Sequence, residues 1–294
     1  MSPNLARFPV RDYDLPATLS CGQAFRWEPL AGTWRAVIHG RWVELQQSGG
    51  FIAARTALPQ VDWRWLENYL QLDVDLAVVV GSFPDDGPMR NAVTACRGLR
   101  LLRQEPWECL ASFILSSTKQ IVQIRQIIAT LCARHGDPAA VPPGETQAFK
   151  FPTPAQIAAL TEAELRDCKM GFRAKYLLES SRRVARDGFE LSTLGSLPLA
   201  EARARLLQLP GVGPKIADNV LLFAFGFPTA FPVDVWVMKA LRRFYFRNRR
   251  MKLARLRCFS ETHFGPNAGY AQQYLFHSLR LSEGKGFLPA RREM

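Results

Sequence analysis

The sequence predicts an α+β protein in two parts. Residues 1–104 form a β-rich N-terminal domain, an antiparallel sheet with a helix, and residues 105–294 form an all-helical domain. Three observations lead there. The opening residues break into short runs rich in aromatic and β-branched side chains, separated by glycines. Five of the seven tryptophans, at positions 27, 34, 42, 63 and 65, fall in the first 65 residues, which suits a small sheet packed on a helix. From Trp107 onward apolar residues recur at helical spacing, with Pro and Gly at the starts and ends of the periodic stretches.

In order along the chain, "FRWEPL", "TWRAVIHG", "RWVELQQ" and "FIAAR" read as strands of a meander, turned at Ala31-Gly32, Gly40 and Ser48-Gly49-Gly50. "WRWLENYLQL" (63–72) is the helix that covers it. The stretch from Pro106 to Gly136 reads as one long helix or a helix pair, and 137–154 as a Pro-rich loop. Residues 155–171 give two short helices, the second stopping at Gly171, and a further helix is closed by Gly188. "PLAEARARLLQLPGVGPKIADNVLLFAFG" is two helices joined by "LPGVG" (209–213). Neither a solenoid repeat nor a low-complexity tract is present.

The chain has 294 residues, 48% hydrophobic, enough for one large domain or two ordinary ones with a substantial core. Lys and Arg number 38 against 26 Asp and Glu, a net charge of +12, which points to a polyanionic partner, nucleic acid or an anionic membrane surface. The six cysteines (21, 96, 109, 132, 168, 258) form no CxxC pair and no cluster with the four histidines, so no metal site is expected. They read as buried thiols of a reducing compartment. The N-terminus carries no apolar signal segment, and no apolar run reaches the ~18 residues of a membrane span. An intracellular protein is expected, in the cytoplasm or nucleoid of a bacterium or the nucleus of a eukaryote.

The chemistry concentrates at the 209–213 bend. Gly211 and Gly213 can take positive φ and let another backbone approach, and Pro214 suits the first turn of the following helix. Such a turn presents backbone N–H groups as an anion site; an ordinary helical hairpin needs the same glycines. Lys215 stands at that helix start, where the dipole repels a cation. Repulsion and burial, if it occurs, both favour a neutral, nucleophilic amine, although for any one lysine taken alone a solvated side chain or a phosphate contact is the better reading. Nineteen positions later (234 − 215), Asp234 is either an N-cap for "VWVMKALRRFYF" or a carboxylate placed to stabilise a developing cation.

"LPGVGPKIADN…PVDVWVMKAL" resembles the helix-hairpin-helix and Pro/Asp segment of the DNA glycosylase superfamily. "SCGQAFRW" (20–27), "YLQLDVDLA" (69–77), "LRLLRQEPWECLASFILSS" (99–117), "MGFRAKY" (170–176) and "GYAQQYLF" (269–276) resemble successive segments of the 8-oxoguanine DNA glycosylase family, in the same order and over nearly the whole chain. The resemblance implies a bifunctional base-excision-repair enzyme working as a monomer, without a cofactor, on double-stranded DNA containing 8-oxoguanine. It flips the damaged base out of the stack, excises it through a lysine Schiff base and cleaves the abasic site by β-elimination. It makes Lys215 the nucleophile at C1′ and Asp234 its assistant. It makes the Gly22 carbonyl the acceptor for N7–H of 8-oxoguanine, Gln272 the reader of the base's other edge and Phe276 the ring stacked on the base. Phe172 falls where the family wedges a tyrosine into the duplex, and Arg173 where an arginine contacts the widowed cytosine.

This chain also departs from the eukaryotic pattern. Thr118-Lys119-Gln120 replaces an Asn-Asn-Asn run, Gln123 the second cytosine-contacting arginine, Asn219 a cysteine packed on the base, and Trp236 a histidine after the aspartate. The segment 239–257 carries nine Lys/Arg and no Asp/Glu, and on a DNA enzyme it reads as phosphate contacts. Related glycosylases with an iron–sulfur cluster carry four closely spaced C-terminal cysteines; here only Cys258 lies in that region, so no cluster is expected. Two other functions stay open, a glycosylase for another oxidised or ring-opened base and a non-catalytic DNA-binding module. Gly22 argues against an oxidised pyrimidine, and the retention of Lys215 with Asp234 argues against the second.

Overall fold

The structure, a computed structural model, describes residues 3–117 and 119–284. Five strands, β1 (Leu5–Pro9), β2 (Glu28–Leu30), β3 (Thr33–Ile38), β4 (Arg41–Ser48) and β5 (Phe51–Thr56), form one antiparallel sheet in the order β1-β5-β4-β3-β2. The meander β2–β5 is the one the sequence announces. β1 is an addition at its edge, and Pro9 is tolerated there because an edge strand leaves one row of amides unpaired.

Alternation puts Trp34, Ala36 and Ile38 of β3, Val43 and Leu45 of β4, and Ile52 and Ala54 of β5 on one buried face. They pack with two helices, α1 (Leu15–Ser20) and α2 (Arg64–Leu70), whose Leu15, Leu19, Leu66 and Leu70 complete the core. Trp27 is fully buried among them, and its indole N–H donates to the Tyr69 hydroxyl at 2.9 Å.

The helices that follow are α3 (Leu76–Gly81), α4 (Gly87–Ala95), α5 (Pro106–Leu115), α6 (Ile121–His135), α7 (Pro154–Ala158), α8 (Glu162–Leu165), α9 (Arg173–Arg186), α10 (Leu199–Leu206), α11 (Pro214–Phe223), α12 (Val235–Tyr245), α13 (Leu253–His263) and α14 (Ala268–Ser282). α5 is buried on nearly every side and packs against α6, α9 and α11, as an all-round apolar helix must. The long periodic stretch after Pro106 is therefore a helix pair, α5 ending at Leu115 and α6 starting at Ile121. α8 runs into a π-helical turn, Arg166–Met170, with Lys169 at φ +63°, and this turn delivers Gly171 and Phe172 to the surface. The Pro-rich loop holds a short strand pair, Pro138–Ala139 with Ala148–Phe149, and is pinned to the sheet by Glu145, which accepts from Arg35 at 2.6 Å and Arg55 at 3.1 Å.

The turn after α1 is tied across to the helices. Gln23 donates to the Arg100 carbonyl at 2.8 Å and accepts from the Leu102 amide at 2.9 Å, while Gln104 donates to the Gln23 carbonyl at 2.7 Å. Gln273 of α14 donates to the Cys21 carbonyl at 3.3 Å. Gly22, at φ +89°, is thus held against α14. Five cysteines are buried as free thiols and Cys258 is exposed on α13. Among the described residues no helix is long and apolar enough to cross a membrane, and no group of three His, Cys, Asp or Glu side chains is placed to hold a metal ion.

Candidate active site and DNA interface

The bend between α10 and α11 is built on α9. Ser180 donates to the Pro210 carbonyl at 2.9 Å and Arg183 to the Gln208 carbonyl at 2.8 Å. Gly211 sits at φ +76°, and a Cβ there would stand 2.6 Å from Cβ of Tyr176, so only glycine fits. Gly213 differs from the expectation. Its φ is −93°, it caps α11 in an extended conformation, and nothing lies within 4 Å of where its Cβ would be. The backbone does not require glycine at 213; the missing side chain leaves the first turn of α11 open to an incoming group.

Lys215 is the second residue of α11 and half-buried. Burial pulls its amine below the ordinary lysine range, and the nearby carboxylate of Asp234 works against that shift. Asp234 caps α12, its Oδ1 accepting from the Val237 amide at 2.7 Å. Burial pushes its carboxyl up, while the Val237 bond and then the Lys215 charge pull it down. The two readings of Asp234 are thus compatible: one oxygen holds the helix end while the charge acts on Lys215. No direct hydrogen bond or ion pair joins the two side chains among the described residues, so they interact through space.

α14 forms the next wall. Gln272 is 4% exposed, and its amide oxygen is buried without a hydrogen-bond partner among the described residues. Phe276, one turn on, is half-buried. A Cβ on Gly22 would stand 2.7 Å from Cδ1 of Ile121 and 3.4 Å from Nη1 of Arg280, whose guanidinium carbon is 5.3 Å from the centre of the Phe276 ring. Arg280 thus lies near both Gly22 and Phe276, with Ile121 packed on Gly22. Asn219 is buried one turn after Lys215 on α11. Sequence reasoning passed over Arg280 and Ile121. The spacing of four from Gln272 to Phe276 to Arg280 was the available signal for the first.

The remaining candidates lie on the segments around Ser117 and Phe172 and on α12. Phe172 is 53% exposed, edge-on to Tyr176, and the Arg173 guanidinium lies 4.4 Å from its ring centre. Arg173 itself is buried; it donates to the Met170 carbonyl at 3.2 Å and to the Ser117 carbonyl, which ties the two segments together. Thr118 lies outside the described residues. Gln123 is exposed, and its amide oxygen accepts from the Gln120 amide at 3.1 Å as part of the N-terminal cap of α6. Trp236 is half-buried beside Lys239, whose Nζ is 5.4 Å from the indole. In the basic segment, Lys239 and Arg243 pair with Glu283 at 2.7 and 3.7 Å, whereas Arg247, Arg249, Arg250, Lys252 and Arg255 are exposed.

Comparison with known families matches residues 6–110 to the family described as 8-oxoguanine DNA glycosylase, N-terminal domain, and residues 111–258 to the HhH-GPD superfamily of base excision DNA repair proteins. A probable N-glycosylase/DNA lyase of Methanothermobacter thermautotrophicus is 30% identical over 94% of this chain and 96% of its own length. The N-glycosylase/DNA lyase OGG1 of Arabidopsis thaliana is 28% identical over 92% of this chain and 79% of its own. Among solved structures, the 8-oxoguanine glycosylase/lyase of Clostridium acetobutylicum, in complex with double-stranded DNA containing cytosine opposite 8-oxoguanine, superposes with a TM-score of 0.87 at 29% identity, over 95% of this chain and 98% of that one.

Proposed function

The chain belongs to the 8-oxoguanine DNA glycosylase family of the HhH-GPD superfamily, N-glycosylase/DNA lyases of base excision repair, and we propose that it excises 8-oxoguanine from duplex DNA with Lys215 as nucleophile and Asp234 as its electrostatic partner. The observation that carries the residue assignment is the half-buried amine of Lys215 at the start of α11, held below its ordinary range within reach of the Asp234 charge. The lone pair of the neutral amine bonds to C1′ as the C1′–N9 bond breaks, and that electron pair leaves with the base. The new ammonium loses a proton, and opening of the sugar at O4′ gives the Schiff base. Removal of a C2′ proton then expels the 3′-phosphate by β-elimination. Asp234 stabilises the positive charge that develops at C1′.

Base flipping places the lesion in the slot of Gly22, Gln272, Phe276 and Asn219. The Gly22 carbonyl accepts N7–H of 8-oxoguanine. Guanine would set a lone pair against the same carbonyl, a mismatch of roughly 1–3 kcal/mol. Phe172 enters the duplex as the wedge, Gln123 faces the orphan base from the start of α6, and Arg173 reaches that base by exchanging its bonds to the Met170 and Ser117 carbonyls. Gly211, Gly213 and the first turn of α11 take a backbone phosphate, beside Trp236 and the exposed arginines of 247–255. The test is single-turnover excision from duplexes carrying 8-oxoguanine, a ring-opened purine, an oxidised pyrimidine or guanine. The proposal expects 8-oxoguanine to be removed fastest; preference for an oxidised pyrimidine would refute it.

A further inference from the structure

Arg280 stands outside every role assigned above. With Gln272 and Phe276 it lines one face of α14 at spacings of four. A cation in the last turn suits the helix dipole, but that does not explain a side chain directed at a glycine in the neighbouring domain. Its guanidinium lies near both residues, 5.3 Å from the centre of the Phe276 ring and 3.4 Å from where a Cβ on Gly22 would stand. It also acts on Asp234, whose carboxyl it helps to pull down.

A second cation stands near it. Arg125 of α6 is a second half-buried guanidinium; it feels the Glu28 carboxylate first and then Arg280 as a like charge. Cys21 is fully buried and its thiol is pushed up to about 11, so it stays protonated and supplies no counter-charge. Asp234 is a carboxylate felt at Arg280, and it is itself engaged with the Val237 amide and the Lys215 field. Half-buried charges of this kind act more strongly than charges on the open surface.

We propose that Arg280 is a specificity-determining residue, donating to the oxygen on C8 of the flipped base and stabilising the negative charge that 8-oxoguanine carries away from C1′. This rests on the assignment of Lys215 and Gly22 above. When the C1′–N9 bond breaks, its electron pair remains on N9, which is bonded to C8, so the charge spreads through the N9–C8–O8 unit onto O8. O8 is also the neighbour of N7–H, and a donor beside Gly22 therefore meets it. Guanine carries hydrogen on C8, with neither an acceptor nor an oxygen to take the charge. Gly22 and Arg280 together read the two groups that distinguish the lesion, and Arg280 acts most strongly as the charge develops, where stabilisation accelerates the reaction.

The experiment compares Arg280→Gln and Arg280→Lys with the wild type on two duplexes, one with 8-oxoguanine and one with a preformed abasic site from which no base departs. Arg280→Gln should lose about tenfold to a hundredfold in single-turnover excision, while its borohydride-trapped adduct on abasic DNA forms at close to the wild-type rate. Arg280→Lys, which keeps a charge, should recover part of the excision. Wild-type excision by a folded Gln variant would overturn the proposal. So would parallel loss of excision and trapping, because the guanidinium would then act through Asp234. If the Gln variant melts below the assay temperature, Arg280→Lys decides by the same ratio of excision to trapping. A wild-type protein that forms no adduct on abasic DNA would instead overturn the Lys215 assignment.

Discussion

Replacing Asp234 by Asn separates the two tasks of its carboxylate. The cap survives, because an asparagine oxygen accepts from the Val237 amide as the present one does at 2.7 Å. Asn and Asp rank together at helix N-caps, so stability should change by less than about 0.5 kcal/mol, whereas Asp234→Ala should cost about 1 kcal/mol. The charge is lost in both. A unit charge about 5 Å from a developing cation, at an effective dielectric of about 20, is worth roughly 3 kcal/mol. At roughly 1.4 kcal/mol per factor of ten, single-turnover excision should fall on the order of a hundredfold. A second signature follows from the structure. Asp234 holds Lys215 toward its ammonium form, so its removal should move the rising limb of the pH–rate profile to lower pH even as the maximum falls. Rapid-quench excision across pH, with thermal melts of the Asn and Ala variants, measures all of this. An Asn variant that excises at the wild-type rate, or melts as early as the Ala variant, would refute the reasoning.

The two glycines of the hairpin should behave differently. Gly211→Ala meets both a positive φ and the Tyr176 side chain, so it should lose more than about 1 kcal/mol in thermal or denaturant unfolding. Gly213→Ala has room and an ordinary φ, so it should fold normally yet bind DNA more weakly in a salt titration; unchanged binding would remove the phosphate from that turn. Because burial lowers Lys215, kcat/KM should rise with a limb below the ordinary lysine value of about 10.4. In stability the unfolded chain binds the extra proton between the folded and unfolded values, so stability should rise with pH across that window and flatten in Lys215→Gln. A profile limited only by an unshifted lysine would contradict this. Gln123 is a neutral donor where eukaryotic relatives place an arginine, so the preference for cytosine opposite 8-oxoguanine should be weak. Gln123→Arg should strengthen that preference while costing about 1 kcal/mol or less through loss of the Gln120 cap; a wild type that already rejects adenine by several hundredfold would defeat the idea.

Much of this site is local chemistry, which is why the sequence carries it. Period-two burial at Trp34, Ala36 and Ile38, Pro214 opening α11 and the Asp234 cap are set by neighbours a few residues away. β1 escaped because its proline and arginine obscure a strand that holds only by adding to the β5 edge. α3 and α4 are short and their packing partners are distant, so no long apolar period announces them. The positive φ expected of Gly213 belongs to Gly211 alone, a distinction set by Tyr176 on another helix. The burial of Arg173 beneath Ser117 and the approach of Arg280 to Gly22 depend on segments far apart in the chain. Spacing along α14 shows which residues share a face, and only the packed fold shows what that face meets.

The central claim is that the amine of Lys215 forms the covalent bond to C1′. Borohydride reduction of the protein mixed with duplex DNA containing 8-oxoguanine measures this directly, with wild type and Lys215→Gln compared at matched DNA occupancy. The account predicts a trapped protein–DNA adduct for the wild type, with the modified peptide containing Lys215, and neither adduct nor base excision for Lys215→Gln while lesion DNA remains bound. A Lys215→Gln protein that still forms the adduct, or a wild-type adduct mapped to another lysine, would contradict it.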